Sequence, residues 1–232
     1  ENLFIAPGNA GTRHLGTNVD IPYADINSLA KFAKENLIDL TIVGPEEPLA
    51  NGLVDRFSVE GLKAFGPTAK AAQLESSKTF AKEFMNELGI PTAMFSSVET
   101  INQARKEVQK LGLPVVIKAD GLAAGKGVYI CQNMNDVEKS LSDLFVDRKF
   151  GESGNKALIE EFMIGPEISV FAFTDGETIS PLIAACDHKR IGEGDTGPNT
   201  GGMGAFSPSP LWDATLIKEI EQTIINPVIS GM

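Results

Sequence analysis

The chain has 232 residues, is 42% hydrophobic and 22% charged, and carries a net charge of −11, values ordinary for a globular protein with a sizeable core. That acidic balance argues against nucleic acid or an anionic membrane surface as a general partner, and no apolar run approaches the roughly 20 residues of a membrane helix. The two cysteines, Cys131 and Cys186, lie far apart without metal-like spacing and read as thiols of a reducing cytoplasm.

Residues 3–6 form a short apolar run halted by Pro7 and Gly8, a strand feeding a glycine-rich turn. Residues 25–36 carry Ile26, Leu29, Ala30 and Ala33 at helical spacing. Residues 40–43 read as a buried strand stopped by Gly44 and Pro45, Leu53–Val59 as a helix, and residues 62–65 as another strand stopped by Gly66 and Pro67. This alternation predicts an open, largely parallel α/β sheet, seen only in part, over residues 1–74. A second domain is expected over 75–232.

In that second part, residues 77–88 read as a helix ended by Gly89, and 92–96 as a strand. Thr100 and Gln103 have the form of a capping box opening a helix to Leu111, closed by Gly112. Residues 114–119 and 128–131 are strands flanking a glycine-rich connection, and residues 135–138 are expected to cap the next helix. Strands follow at 157–162, 168–174 and 178–185, the last two joined by a tight turn at Asp175-Gly176. Residues 212–229 read as one helix. The chain opens on Glu1 without a methionine and closes in helical character, so it is expected to be an excerpt of a longer protein.

Three segments carry chemistry. Lys118 to Gly127 clusters glycines and lysines, which suits backbone N–H groups and charge to phosphate oxygens. It is not a Walker loop: Asp120 stands at the first glycine and Gly127 replaces the magnesium-binding hydroxyl. The β-type run after it points instead to a flap between two strands. Residues 159–167 are a strand ending in a linker, whose backbone suits an adenine edge and whose Glu167 suits ribose hydroxyls. Residues 187–208 place Asp187, His188, Lys189 and Arg190 before six glycines. Interior glycines cost about 0.5–1 kcal/mol each relative to alanine, so this run predicts a shaped loop close to a ligand rather than a regular element.

Together these residues, with 6–11, 43–49, 65–68 and Ser77-Lys78, resemble the ATP-grasp superfamily and, more closely, its phosphoribosylamine–glycine ligase (glycinamide ribonucleotide synthetase) family. The run from Thr196 to Ala205 is the part most specific to that family; the lysines and hinge are shared across ATP-grasp enzymes. The resemblance implies a partial N-terminal α/β domain followed by an incomplete ATP-grasp domain of two α+β subdomains, the flap subdomain at about 92–162.

It further implies ATP on Lys78 and Lys118, under a flap that includes Gly121, Gly125, Lys126 and Gly127. Adenine would lie at Glu160, Glu161 and Met163, largely on backbone atoms, and ribose at Glu167. Asp187, Lys189 and Arg190 would face the reacting groups. Glycine and 5-phosphoribosylamine would meet Asn199, Thr200, Gly201, Gly202 and Met203, with Gly8, Asn9, Gly11, Pro45 and Glu46 on the phosphoribosylamine side. Magnesium or manganese would be ligated beyond Met232, so no metal ligand is expected in this chain, which alone is expected to be inactive. A monomeric cytoplasmic enzyme is implied. Another ATP-grasp ligase or a non-catalytic nucleotide-binding module are the alternatives, and a dinucleotide oxidoreductase is disfavoured because no G-x-G-x-x-G follows a strand and opens a helix.

Overall fold

The computed structural model describes residues 2–122, 127–194 and 196–232, with 198 and 199 as backbone only. Two compact units divide the chain, Glu1–Ala81 and Lys82–Met232.

In the first unit, β1 (Phe4–Ile5) pairs in parallel with β2 (Thr17–Asn18). Helix α1 (Ile26–Glu35) begins where the Asp25 side chain accepts from the Ser28 N–H, satisfying a donor the helix itself leaves open. Strand β3 (Thr41–Ile42) is followed by α2 (Glu46–Ala50) and α3 (Leu53–Val59), and pairs in parallel with β4 (Ala64–Phe65). Helix α4 (Gln73–Ser76) leads to α5 (Lys78–Glu87). Buried Ala30, Ala33, Leu53 and Phe57 form the core, with Val43 and Ala64 packed against them.

Two expectations are corrected here. The parallel strands form two separate pairs rather than one sheet. The strand at 40–43 is not buried: Leu40 is 53% and Ile42 72% exposed. A parallel strand is buried only when both its faces are covered. Here α1 and α3 cover the side of Val43 and Ala64, while Ile42 and Leu40 line an apolar groove of about 470 Å³ with Phe4, Ile5 and Tyr23.

The second unit is built on an antiparallel sheet. Strand β5 (Phe95–Val98) precedes α6 (Ile101–Leu111), β6 (Val115–Ala119), β7 (Val128–Cys131), α7 (Met134–Leu141) and β8 (Ala157–Glu161), and the strand order is β5-β8-β6-β7. The capping box of Thr100 and Gln103 is present. Val115, Ile117, Ala119, Leu144, Ala157 and Ile159 are wholly buried together with Ala104, Val108, Val137 and Leu141 of the two helices.

Local boundaries differ from expectation where side chains intervene. Strand β5 starts at Phe95 rather than Thr92, because Thr92 Oγ1 and the Ala93 carbonyl accept from Lys82 Nζ at 2.7 and 3.4 Å. The cap of α7 is Asn133, whose side chain accepts from the Asp136 N–H, two residues before the expected start.

Beyond the sheet, β9 (Ser169–Phe171) pairs antiparallel with β10 (Ile183–Asp187), shorter strands than predicted. Asp175 still shapes the turn, accepting from the N–H groups of Glu177 and Thr178. Strands β11 (Arg190–Gly192), β12 (Thr196–Asn199) and β13 (Ala205–Phe206) follow. The predicted terminal helix is α8 (Ala214–Ile220), a π turn over Glu221–Ile225, and α9 (Asn226–Gly231). Pro227 has no N–H to give and its ring crowds the carbonyl four residues back, so the wider turn falls where an α-helix could not continue unstrained.

Candidate functional site

Three charged residues meet at the β6–β8 face of the sheet. Lys118 Nζ lies 2.9 Å and Lys82 Nζ 3.2 Å from the same oxygen, Oε2, of Glu160. Glu160 is 4% exposed, and its other oxygen, Oε1, is buried without a hydrogen-bond partner among the described residues. A buried polar atom left unpaired costs about 1–3 kcal/mol. Lys82 also stands 5.6 Å from the centre of the Phe95 ring. Sequence reasoning missed Lys82, although its spacing of four from Lys78 puts the two on one helical face.

Glu160 was expected to act at an adenine hinge through its backbone. Instead its backbone sits in the middle of the sheet, opposite Phe95 on one side and Val116 on the other, and its carboxylate holds the two lysines. Central strands spend their backbone groups on neighbours. Glu161 is different. Its N–H donates to the Met94 carbonyl at 3.0 Å, but the reciprocal Met94 N–H goes to Glu161 Oε1 at 2.9 Å. The side chain thus takes the donor that ladder geometry would direct to the Glu161 carbonyl. Met163, two residues on, is 67% exposed.

Strands β6 and β7 are joined where the Ala119 N–H meets the Gly127 carbonyl at 2.8 Å, and Gly127 has φ +85°, a conformation glycine adopts without strain. Gly121 packs so close to Ser153 that a Cβ would lie 2.5 Å from its Oγ. The expected contributions of Gly125 and Lys126 lie outside the described residues. Lys78 is the first residue of α5, in the first unit.

The glycine-rich run is a hairpin, not the irregular loop its composition suggests. Asp187 pairs with Ala205, the His188 N–H with the Gly204 carbonyl, the Thr200 N–H with the Lys189 carbonyl, and Arg190 with Asn199. Its glycines serve the turns and irregular positions: Gly194, Gly197 and Gly202 have φ of +67°, +82° and +115°. Thr200 Oγ1 donates to the Lys189 carbonyl and accepts from the Gly202 N–H, and the Met203 N–H reaches the His188 carbonyl. Gly201 has open space where a Cβ would stand. The Asn199 side chain lies outside the described residues.

This hairpin brings Asp187, Lys189, Arg190, Thr200, Gly201, Gly202 and Met203 together. Lys189 Nζ bonds Glu167 and lies 3.8 Å from Asp187 Oδ1. The bond to Glu167 raises the Lys189 pKa above its ordinary value, against the smaller opposing effect of burial. Arg190 Nη1 donates to the Gly197 carbonyl at 3.3 Å.

In the first unit, Gly8 has φ +75°, and a Cβ there would strike the Asn18 side chain at 2.4 Å. The Asn9 side chain accepts from the N–H groups of Gly11 and Thr12 at 2.8 and 3.1 Å, so it shapes the turn. Pro45 borders the apolar groove, and Glu46, the first residue of α2, lines a smaller cavity of about 220 Å³ with Gly44 and Glu75. Among the described residues no group of three or more His, Cys, Asp or Glu is placed to hold a metal ion, and no helix is long and apolar enough to cross a membrane.

The fold of the chain is that of ATP-grasp enzymes. Biotin carboxylase from Campylobacter jejuni superposes with a TM-score of 0.74 at 21% identity, covering 99% of this chain and 53% of that one. More narrowly, residues 76–232 match the family model of the phosphoribosylglycinamide synthetase ATP-grasp (A) domain, and residues 1–75 that of its N domain. The chain belongs to the phosphoribosylglycinamide synthetase family. Phosphoribosylamine–glycine ligases of Vibrio vulnificus and Escherichia coli K12 are each 47% identical over 234 aligned positions, covering all of this chain and 54% of the relative. The crystal structure of phosphoribosylamine–glycine ligase from Thermotoga maritima superposes with a TM-score of 0.81 at 33% identity, covering 99% of this chain and 55% of that chain. The chain therefore spans about half the length of the relatives it matches.

Proposed function

We propose that the chain is the nucleotide-binding part of an enzyme joining glycine to 5-phosphoribosylamine, giving glycinamide ribonucleotide, ADP and phosphate in purine biosynthesis. The observation that carries the nucleotide reading is Lys118 held at Glu160, one ammonium of two on a buried carboxylate, next to the glycine-rich connection between β6 and β7. The family membership supplies the choice of reaction.

In this reading a glycine carboxylate oxygen attacks the γ-phosphorus and the bond to the β–γ bridging oxygen breaks, releasing ADP. The amine of phosphoribosylamine then attacks the carbonyl carbon of glycyl phosphate, loses a proton and expels inorganic phosphate. No side-chain nucleophile is needed, so the residues act by positioning and by charge. Lys118 and Lys78 neutralise phosphate oxygens, and residues 121–127, with Gly125 and Lys126, close over them to exclude water. Glu161, through the carbonyl its side chain leaves available, and Met163 meet the adenine edge. Glu167 accepts from ribose hydroxyls, exchanging its contact with Lys189. Asp187, Lys189 and Arg190 serve the reacting carboxylate and phosphoryl group, and the hairpin from Asn199 to Met203 holds glycine and the amine. Gly8, Asn9, Gly11, Pro45 and Glu46 form the phosphoribosylamine side, Asn9 by shaping the turn.

We assign residues 1–74 and 75–232 to the two domains, magnesium or manganese as the ion accompanying the phosphates, and a monomeric cytoplasmic enzyme; two free thiols fit a reducing compartment. The test is calorimetric ATP binding together with a coupled ADP-release assay, with glycine, phosphoribosylamine or the divalent ion omitted in turn. ADP release that does not need glycine overturns the substrate assignment, and absence of ATP binding overturns the nucleotide one.

A further inference from the structure

We propose that Lys82 is a positioning residue that sets the placement of the phosphate-binding Lys118 through Glu160. The inference rests on the nucleotide reading of the site. Lys82 does not itself reach a ligand: it is 8% exposed, and its ammonium is spent on Thr92 Oγ1 at 2.7 Å, the Ala93 carbonyl at 3.4 Å and Glu160 Oε2 at 3.2 Å. Lys118 is more open, with 28% of its side chain exposed, and Glu160 Oε2 is its contact among the described residues.

One carboxylate facing one lysine is free to turn and offer either oxygen. Here both ammonium groups crowd the same oxygen, while Oε1 is buried and has no partner among the described residues. Lys82 is anchored at its other two contacts, so it fixes the rotation of the carboxylate and thereby the point where Lys118 stands. It also supplies a second positive charge to a single buried negative one, so Glu160 does not hold Lys118 as its sole counter-ion. Without Lys82, Glu160 closes fully on Lys118 and competes with phosphate for it.

The experiment measures ATP and adenosine affinities of the chain by calorimetry for the unaltered protein, Lys82→Met, Lys82→Arg, Lys118→Met and the Lys82→Met/Lys118→Met pair. Lys82→Met is expected to weaken ATP about tenfold, the scale of one charge-assisted contact, while adenosine changes less than about twofold. Lys82→Arg should keep most of the ATP-over-adenosine preference. The loss from Lys82→Met should vanish where Lys118 is already Met, since coupled residues are not additive. If Lys82→Met does not fold, Glu160→Gln and Glu160→Gln/Lys82→Met replace it, and the two are expected to bind ATP alike. Equal weakening of ATP and adenosine, or losses at Lys82 and Lys118 that multiply independently, overturns the inference alone. In the substitute pair, a further loss of ATP affinity on adding Lys82→Met to Glu160→Gln does the same. An unaltered chain that binds no ATP overturns the nucleotide reading, and this inference with it.

Discussion

The four-stranded sheet and the glycine-rich hairpin lie in the same unit and hold their charged residues by different means. In the sheet, Glu160 is enclosed with Lys82 of α5 against it, and Leu158 on the same face and Ile117 and Ile159 on the other are wholly buried. In the hairpin, Ile191 is 59% and Met203 60% exposed, and the shape comes from backbone bonds across the strands and from glycines at positive φ. Packing fixes one region, conformational restriction the other. Large-to-small changes should therefore damage the sheet, and glycine changes the hairpin.

The largest effect expected is at the core of the sheet. Ile117→Ala should lower unfolding free energy in urea by about 2–5 kcal/mol, whereas Ile191→Ala in the hairpin should stay within about 0.5 kcal/mol. Equal losses would end the contrast. Next comes Lys118→Met, which removes a charge-assisted phosphate contact of about 1.5–3 kcal/mol and should weaken ATP by tenfold or more in a titration. Unchanged affinity would remove Lys118 from the site.

The hairpin gives a smaller, conformational signal. Gly197 has φ +82° and an added Cβ would lie 3.0 Å from Ile191 Cγ2, so Gly197→Ala should cost about 1–3 kcal/mol. Gly201 has open space and no such φ, so Gly201→Ala should be close to neutral when both are measured by urea unfolding.

The smallest effect concerns pH. Burial, then the bond to Asp143, pushes the Tyr129 hydroxyl up to about 12. A group whose pKa is raised on folding stabilises below its unfolded value, about 10, and loses that contribution as pH rises toward the folded one. Urea midpoints measured between pH 9 and 12 should thus fall less steeply for Tyr129→Phe than for the unaltered protein, and parallel slopes would contradict this.

What was legible in the sequence was local. The helical spacing over residues 25–36, the capping box of Thr100 and Gln103, and the stop at Gly89 rest on neighbours a few residues apart, and each stands where it was read. What failed depended on residues distant in the chain. Thr92 reads as strand, yet it answers to Lys82; Ile42 reads as core, yet its covering face is open. The glycines of the hairpin gave the wrong element because composition reports a mean preference, while Gly194, Gly197 and Gly202 occupy particular bends. The candidate site was legible as residue types: Lys118, Glu160 and Lys189 were named. Their partners were not, since nothing local in 159–161 says that one glutamate turns to two lysines and the next to Met94.

The double clasp of Glu161 on Met94 has a mechanical consequence. The connecting stretch from 162 to 168 leaves the sheet at a pinned point and enters the next strand at Ser169 of β9. A tether pinned at its root can bend but cannot pay out chain. Any change in how β9 stands to the four-stranded sheet must then be taken up by rotation within those seven residues, which makes that stretch an axle of fixed length.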